Sequence, residues 1–245
     1  MSKSVQSKSE QRIWRPESLS GGLQNYLLKM SGIKCCMARI GFTLAEILIV
    51  LGIIGVVAEL TIPTLMNNVQ DKVFRTAWKE TFSQVSQVYT SMVAENGSIE
   101  GALSGVTDDI GFKNVIKQYF AVVNDCDTTW NCFESSVKTA INTDPSYWVP
   151  HQASIVLKNG VAMSFGFYSA DCSSDGFAPG ACGRAVVDVN GQSKGPNKWA
   201  SDIYAWIITK NGVVAEGAIG TFPATYNTCS PTLEGYSCSF DYLYK

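Results

Sequence analysis

Residues 42–66 read FTLAEILIVLGIIGVVAELTIPTLM, with twelve uncharged residues in succession at 47–58. With its flanks this run reaches the roughly 20 residues that a membrane-spanning helix needs. Beyond residue 66 the pattern changes rather than stops. Phe74, Trp78, Phe82, Val85, Tyr89 and Met92 recur every three or four positions, with Asp71, Lys72, Arg75, Lys79, Glu80, Ser83 and Gln87 between them. That is an apolar stripe of helical period, closed by the stop signal Asn96-Gly97. Residues 42–95 would make about 80 Å of continuous helix. Pro63 removes one backbone donor and predicts a kink. The first part, 42–66, is expected in lipid, and the second, 67–96, with its stripe against a sheet.

After a loop at 97–107, Ile110, Val115, Ile116, Tyr119, Phe120 and Val123 predict a second, shorter helix. The period then drops to two. Residues 153–157 and 161–167, joined by Asn159-Gly160, predict a β-hairpin with a type I′ turn. Residues 185–189 form another strand candidate, and 203–209 and 213–216, joined by Asn211-Gly212, a second hairpin. Five short strands with tight turns imply one antiparallel sheet. The fold class is therefore α+β: a long N-terminal helix packed on a C-terminal antiparallel head at 97–245.

Composition sharpens this picture. The 245-residue chain is 46% hydrophobic and 16% charged, which excludes a disordered or collagen-like polymer. Its net charge of -2 hides a division, with seven Lys or Arg against Glu10 and Glu17 in residues 1–41. The remainder is acidic, so it lacks the clustered cations that a nucleic-acid backbone requires. His151 is the single histidine, preceding a predicted strand with no motif around it. A Ser-His-Asp or Cys-His site would have to use it, and zinc sets with two or three histidines cannot be built. The chain does not read as an enzyme.

Two carboxylates, Glu46 and Glu59, interrupt the apolar run. A charge at the centre of a spanning helix costs roughly 2.5–3.5 kcal/mol, so Glu46 calls for a partner. Glu59 lies 13 residues further on, about 20 Å along a helix, near the outer boundary where water reaches it. Lys29, Lys34 and Arg39 precede the run, which by the positive-inside rule puts the N-terminus in the cytoplasm and the head across the membrane.

A basic leader, then Gly41, then Phe42-Thr-Leu-x-Glu46, then a long apolar helix resembles the class III signal of type IV prepilins and pseudopilins. The motif covers about 25 residues and says little about 67–245. The resemblance implies cleavage between Gly41 and Phe42 by a prepilin peptidase and N-methylation of Phe42. Glu46 becomes the fifth residue of the mature chain, implied to neutralise the N-terminal amine of a neighbouring subunit during assembly, the opposite charge that a lipid-buried carboxylate needs. Pro63 falls where family helices kink. Residues 1–41 would be a removed leader, with Met30 or Met37 as an alternative start, and 1–36 reads as disordered or untranslated. The implied protein is a subunit of a type IV pilus or type II secretion pseudopilus, in the bacterial inner membrane with a periplasmic head, or at the cell surface once in a pilus. Its partners would be other pilin subunits, held by helix packing to which Gly52 and Gly55 contribute.

Cys35 and Cys36 belong to the leader, leaving six cysteines. Six permit 15 connectivities, and nearest-neighbour pairing is the economical expectation: Cys126–Cys132, Cys172–Cys182 and Cys229–Cys238. Each small loop is worth roughly 2–3 kcal/mol, in an oxidising compartment where such bridges persist. The segment from Asp188-Val-Asn190-Gly191 to Gly195-Pro196-Asn197 and Asp202 resembles one in the heads of many pilin-like proteins. Two readings stand: an Asx-rich turn bonding its own backbone, or hard oxygen ligands from Asp188, Asn190 and Asp202 for Ca²⁺. The rival to a filament subunit is a membrane-anchored periplasmic binding or adhesion domain that does not polymerise, with Tyr147, Trp148, Trp199, Tyr204 and Trp206 either as its contact surface or, by default, as half-buried strand aromatics.

Overall fold

The computed structural model describes residues 42–127, 132–145, 153–221, 229–230 and 232–244. The leader including Gly41, together with Tyr147, Trp148 and His151, lies outside them. The chain divides into two compact units, one ending at Val56 and one beginning at Val57. The first element, α1, is a single helix over Leu44–Asn96 that runs on through Pro63. Thr43 and Glu46 close a capping box at its start. The Thr43 N–H and hydroxyl donate to Glu46 Oε2 at 2.8 and 2.9 Å, and the Glu46 N–H donates to Thr43 Oγ1 at 3.2 Å. Gly97, with φ at +78°, ends the helix in the left-handed conformation that glycine adopts without cost.

The apolar side chains of the first part face outward. Leu48, Leu51, Ile54 and Val56 are 58–60% exposed, and the helix is long and apolar enough to cross a membrane. In the second part Trp78, Thr81, Val85, Val88 and Met92 are buried, a spacing of three and four residues. Phe74, Phe82 and Tyr89 are only partly buried and flank that line. The packed face is thus rotated slightly from the stripe read in the sequence. Trp78 anchors it: its ring stacks on Tyr204 at 5.0 Å and its indole N–H donates to the Ser239 carbonyl at 2.8 Å.

The second helix is shorter than expected. A one-turn helix, α2 (Ile99–Ala102), lies in the anticipated loop, and α3 spans only Asp109–Ile116 before a 3-10 turn at Lys117–Tyr119. Val123, expected to belong to this helix, lies instead in β1 (Val122–Cys126). Among the described residues the sheet therefore has six strands, not five: β1, β2 (Ser154–Leu157), β3 (Ala162–Phe167), β4 (Ala181–Asp188), β5 (Ile203–Thr209) and β6 (Gly212–Ala215), antiparallel in chain order. The β2–β3 turn is not type I′, because only Gly160 has positive φ. The Gly160 N–H donates to the Leu157 carbonyl and the Leu157 N–H to the Val161 carbonyl, a three-residue loop closed by a left-handed glycine. A last helix, α4 (Cys238–Tyr244), was not anticipated.

Alternation along the strands sorts the core into layers. Ile155, Met163, Phe165, Ala185, Val187, Tyr204 and Trp206 join α1 and α3. Ala162, Val186, Ile203 and Ala205 face the other way, against Phe133, Val137, Trp199 and Tyr236. Both sheet faces are thus covered, one by helices and the other by loop residues. At Gly183 an added Cβ would sit 2.4 Å from the Phe112 ring, so this glycine lets α3 lie against the sheet. Three disulfides join Cys126–Cys132, Cys172–Cys182 and Cys229–Cys238.

Candidate functional site

The N-terminal candidates are Phe42 and Glu46, since Gly41 lies outside the described residues. Phe42 is exposed and Glu46 bonds Thr43 within its own helix turn. The carboxylate therefore has a partner in the single chain, one overlooked in the sequence although Thr43-x-x-Glu46 before an apolar run is the capping-box signature.

The second candidate is the turn after β4. Arg184, Val186 and Asp188 share one face of that strand, and Asp188 brings its carboxyl to the loop closed by Asp202. The Asp202 carbonyl accepts the Val189 N–H at 3.0 Å, which holds the two segments together. Asp188 Oδ1 accepts the N–H groups of Asn190 and Gly191 at 3.1 and 2.9 Å. Asp202 accepts those of Asn197 and Lys198, one on each oxygen, both at 2.8 Å. The Asn190 Nδ2 donates to the Gly195 carbonyl at 3.0 Å. Gly191 has φ at +87° and a Cβ there would meet the Gly160 carbonyl at 2.2 Å, so only glycine lets the loop pass the hairpin.

Both carboxyl groups are fully buried. Burial first, and then the neighbouring Asp202 charge, push Asp188 up to about 7, against the N–H groups of Gly191 and Asn190 that pull it down; Glu134 adds a further upward push. Burial likewise raises Asp202, against the Lys198 and Asn197 N–H groups and the Asn190 side chain. Asp188 Oδ2, Asn190 Oδ1 and Asn197 Oδ1 are buried without a hydrogen-bond partner. Among the described residues no Lys or Arg pairs with either aspartate. No three His, Cys, Asp or Glu side chains gather around one point among them either, so a cation here would rest on two carboxylates with amide and main-chain oxygens. The structure thus brings Asp188, Asn190 and Asp202 together, and adds Asn197, which the sequence reading had not named as a ligand.

Of the five aromatic residues weighed as a contact surface, Tyr147 and Trp148 lie outside the described residues, and the other three follow the inward default of strand aromatics. Trp199, Tyr204 and Trp206 are at most 1% exposed and form core contacts. They are unavailable to a sugar or a protein partner. A buried ion pair, Arg184–Glu216, was also missed: Arg184 Nε donates to Glu216 Oε2 at 2.9 Å, and the guanidinium lies over the Phe177 ring. No family model, curated protein or solved structure matches the chain.

Proposed function

We propose that the protein is a pilin-like structural subunit, trimmed between Gly41 and Phe42 and assembled through the exposed apolar part of α1 into a type IV pilus or type II secretion pseudopilus. It is a substrate of the prepilin peptidase rather than an enzyme. The observation that carries the reading is the Gly41-Phe42-x-x-x-Glu46 motif opening a helix whose first half exposes apolar side chains while its second half is buried in a head. Lipid or neighbouring helices are the environments that can cover such a surface. Disulfides throughout the head suit an oxidising compartment, with the N-terminus on the cytoplasmic side.

Glu46→Gln tests the role of charge, because glutamine still completes a capping box. Trimmed, membrane-inserted chain that no longer enters filaments supports the reading. Normal behaviour of this variant would favour a tethered domain that does not polymerise. Replacing Gly41 by a bulky residue is expected to leave uncut precursor on a gel, and N-terminal sequencing of the parent should begin with methylated Phe42.

A further inference from the structure

We propose that the cleft between α1 and the 194–201 loop binds the headgroup of an anionic phospholipid, through Arg75 and Lys198 with Lys72 and Lys194 beside them. This inference rests on the reading of the preceding part of α1 as a membrane span. Val57, Leu60, Ile62, Leu65 and Met66 are 53–73% exposed, and Asn67, directly after them, already lines the cleft. Two adjoining hollows of about 290 and 530 Å³ share Asp71, Lys198 and Ser201. Arg75 and Tyr242 line the first, Gly195 and Pro196 the second. The headgroup layer on each side of a bilayer is about 5–8 Å thick, and residues 67–71 rise about 6 Å. Helical side chains lean toward the N-terminus, which brings Lys72 and Arg75 nearer that layer.

The cations of this protein are sorted. Lys113, Lys117, Lys138, Arg184 and Lys210 each meet a carboxylate. Lys72, Arg75, Lys194 and Lys198 meet none among the described residues. The Arg75 guanidinium lies over the Tyr242 ring at 3.8 Å, which fixes its place, and its in-plane donors suit phosphate oxygens. Among the lining residues Asp71 alone is acidic; it weakens the attraction without cancelling it. Free phosphate carries the same group, but the position on α1 selects an amphiphile. Met66 and Leu60 share the face of α1 that carries Gln70 and Asn67, four and seven residues on. Acyl chains thus have an apolar track adjoining the cleft.

The test uses the full chain in neutral detergent, titrated with phosphatidylglycerol or phosphatidylcholine and read by native mass spectrometry. Phosphatidylglycerol is expected to bind about tenfold more tightly, and about 1 M salt should erase most of that preference. Arg75→Gln and Lys198→Gln should each cut it about fivefold, and Asp71→Asn should raise it. Lys198→Gln reads the loss should Arg75→Gln not fold. Lys210→Gln, which leaves the cleft untouched, should match the parent. Equal binding of the two lipids, cleft variants that keep the full preference, or displacement of the lipid by equimolar inorganic phosphate would each overturn the assignment. Alkaline washing of membranes tests the span separately. A chain that stays inserted yet shows no preference overturns this assignment alone, and a chain that washes out overturns the span with it.

Discussion

Two acidic sites lie on the sheet face turned away from α1, and they are balanced in opposite ways. Arg184 and Asp188 are four residues apart on β4, about 13 Å at the strand rise. At the first, Glu216 is fully buried and meets the Arg184 guanidinium through two nitrogens. At the second, Asp188 and Asp202 are equally buried but meet only N–H groups and each other. The first pair carries its counter-ion in the sequence, whereas the second has no cationic side chain beside it among the described residues. Breaking either should therefore have effects of opposite sign.

The largest effect is expected at Arg184. Arg184→Met leaves the Glu216 carboxylate buried and unpaired and should lower unfolding free energy by about 3–5 kcal/mol, measured by denaturant titration in detergent. At the other site, in EGTA at pH 8, Asp188→Asn should raise stability by about 1–3 kcal/mol, because it removes one of two facing anions. The sign follows from linkage. The Asp188 carboxyl is raised in the fold to about 7, by burial first, then by the Asp202 charge, with a smaller push from Glu134. It therefore binds its proton more tightly folded than unfolded, and parent stability falls as pH rises from about 4 through 7. The advantage of the variant should vanish near pH 4 and level off above 7. Arg184→Met with Glu216→Leu should recover most of the single-variant loss, coming within about 1 kcal/mol of the parent. Asp144→Asn removes an exposed pair with Lys138 and should change stability by less than about 0.5 kcal/mol.

The parts of this fold legible in the sequence are those with local causes. The hairpins are short runs rich in apolar residues joined by an Asn-Gly pair. The second half of α1 carries its stripe, and each disulfide closes a separation of six, nine or ten residues. The illegible parts depend on distant partners. β1 is an edge strand with three exposed central positions, so Val122-Val123-Asn124-Asp125-Cys126 shows no alternation and reads as the tail of a helix. α4 has seven residues, too few to display a period. Nothing local reveals that Arg184 meets Glu216, 32 residues later. At the acidic loop the spacing pointed to Asp188, Asn190 and Asp202. Their lack of a counter-ion is a property of burial, which no spacing encodes. The depth of the aromatics is set the same way: Tyr204 and Trp206 go fully inward under α1 and α3, and Trp199 under the loop residues of the opposite face.

The bond from the Trp78 indole to Ser239 spans 161 positions of chain. During synthesis, the ring therefore waits for its seat until the ribosome has added all those residues. At about 5–20 residues per second that interval lasts roughly 8–32 seconds. Over that time Trp78, Val85 and Met92 present a bare oily ridge, the kind of surface that makes a nascent chain prone to clumping.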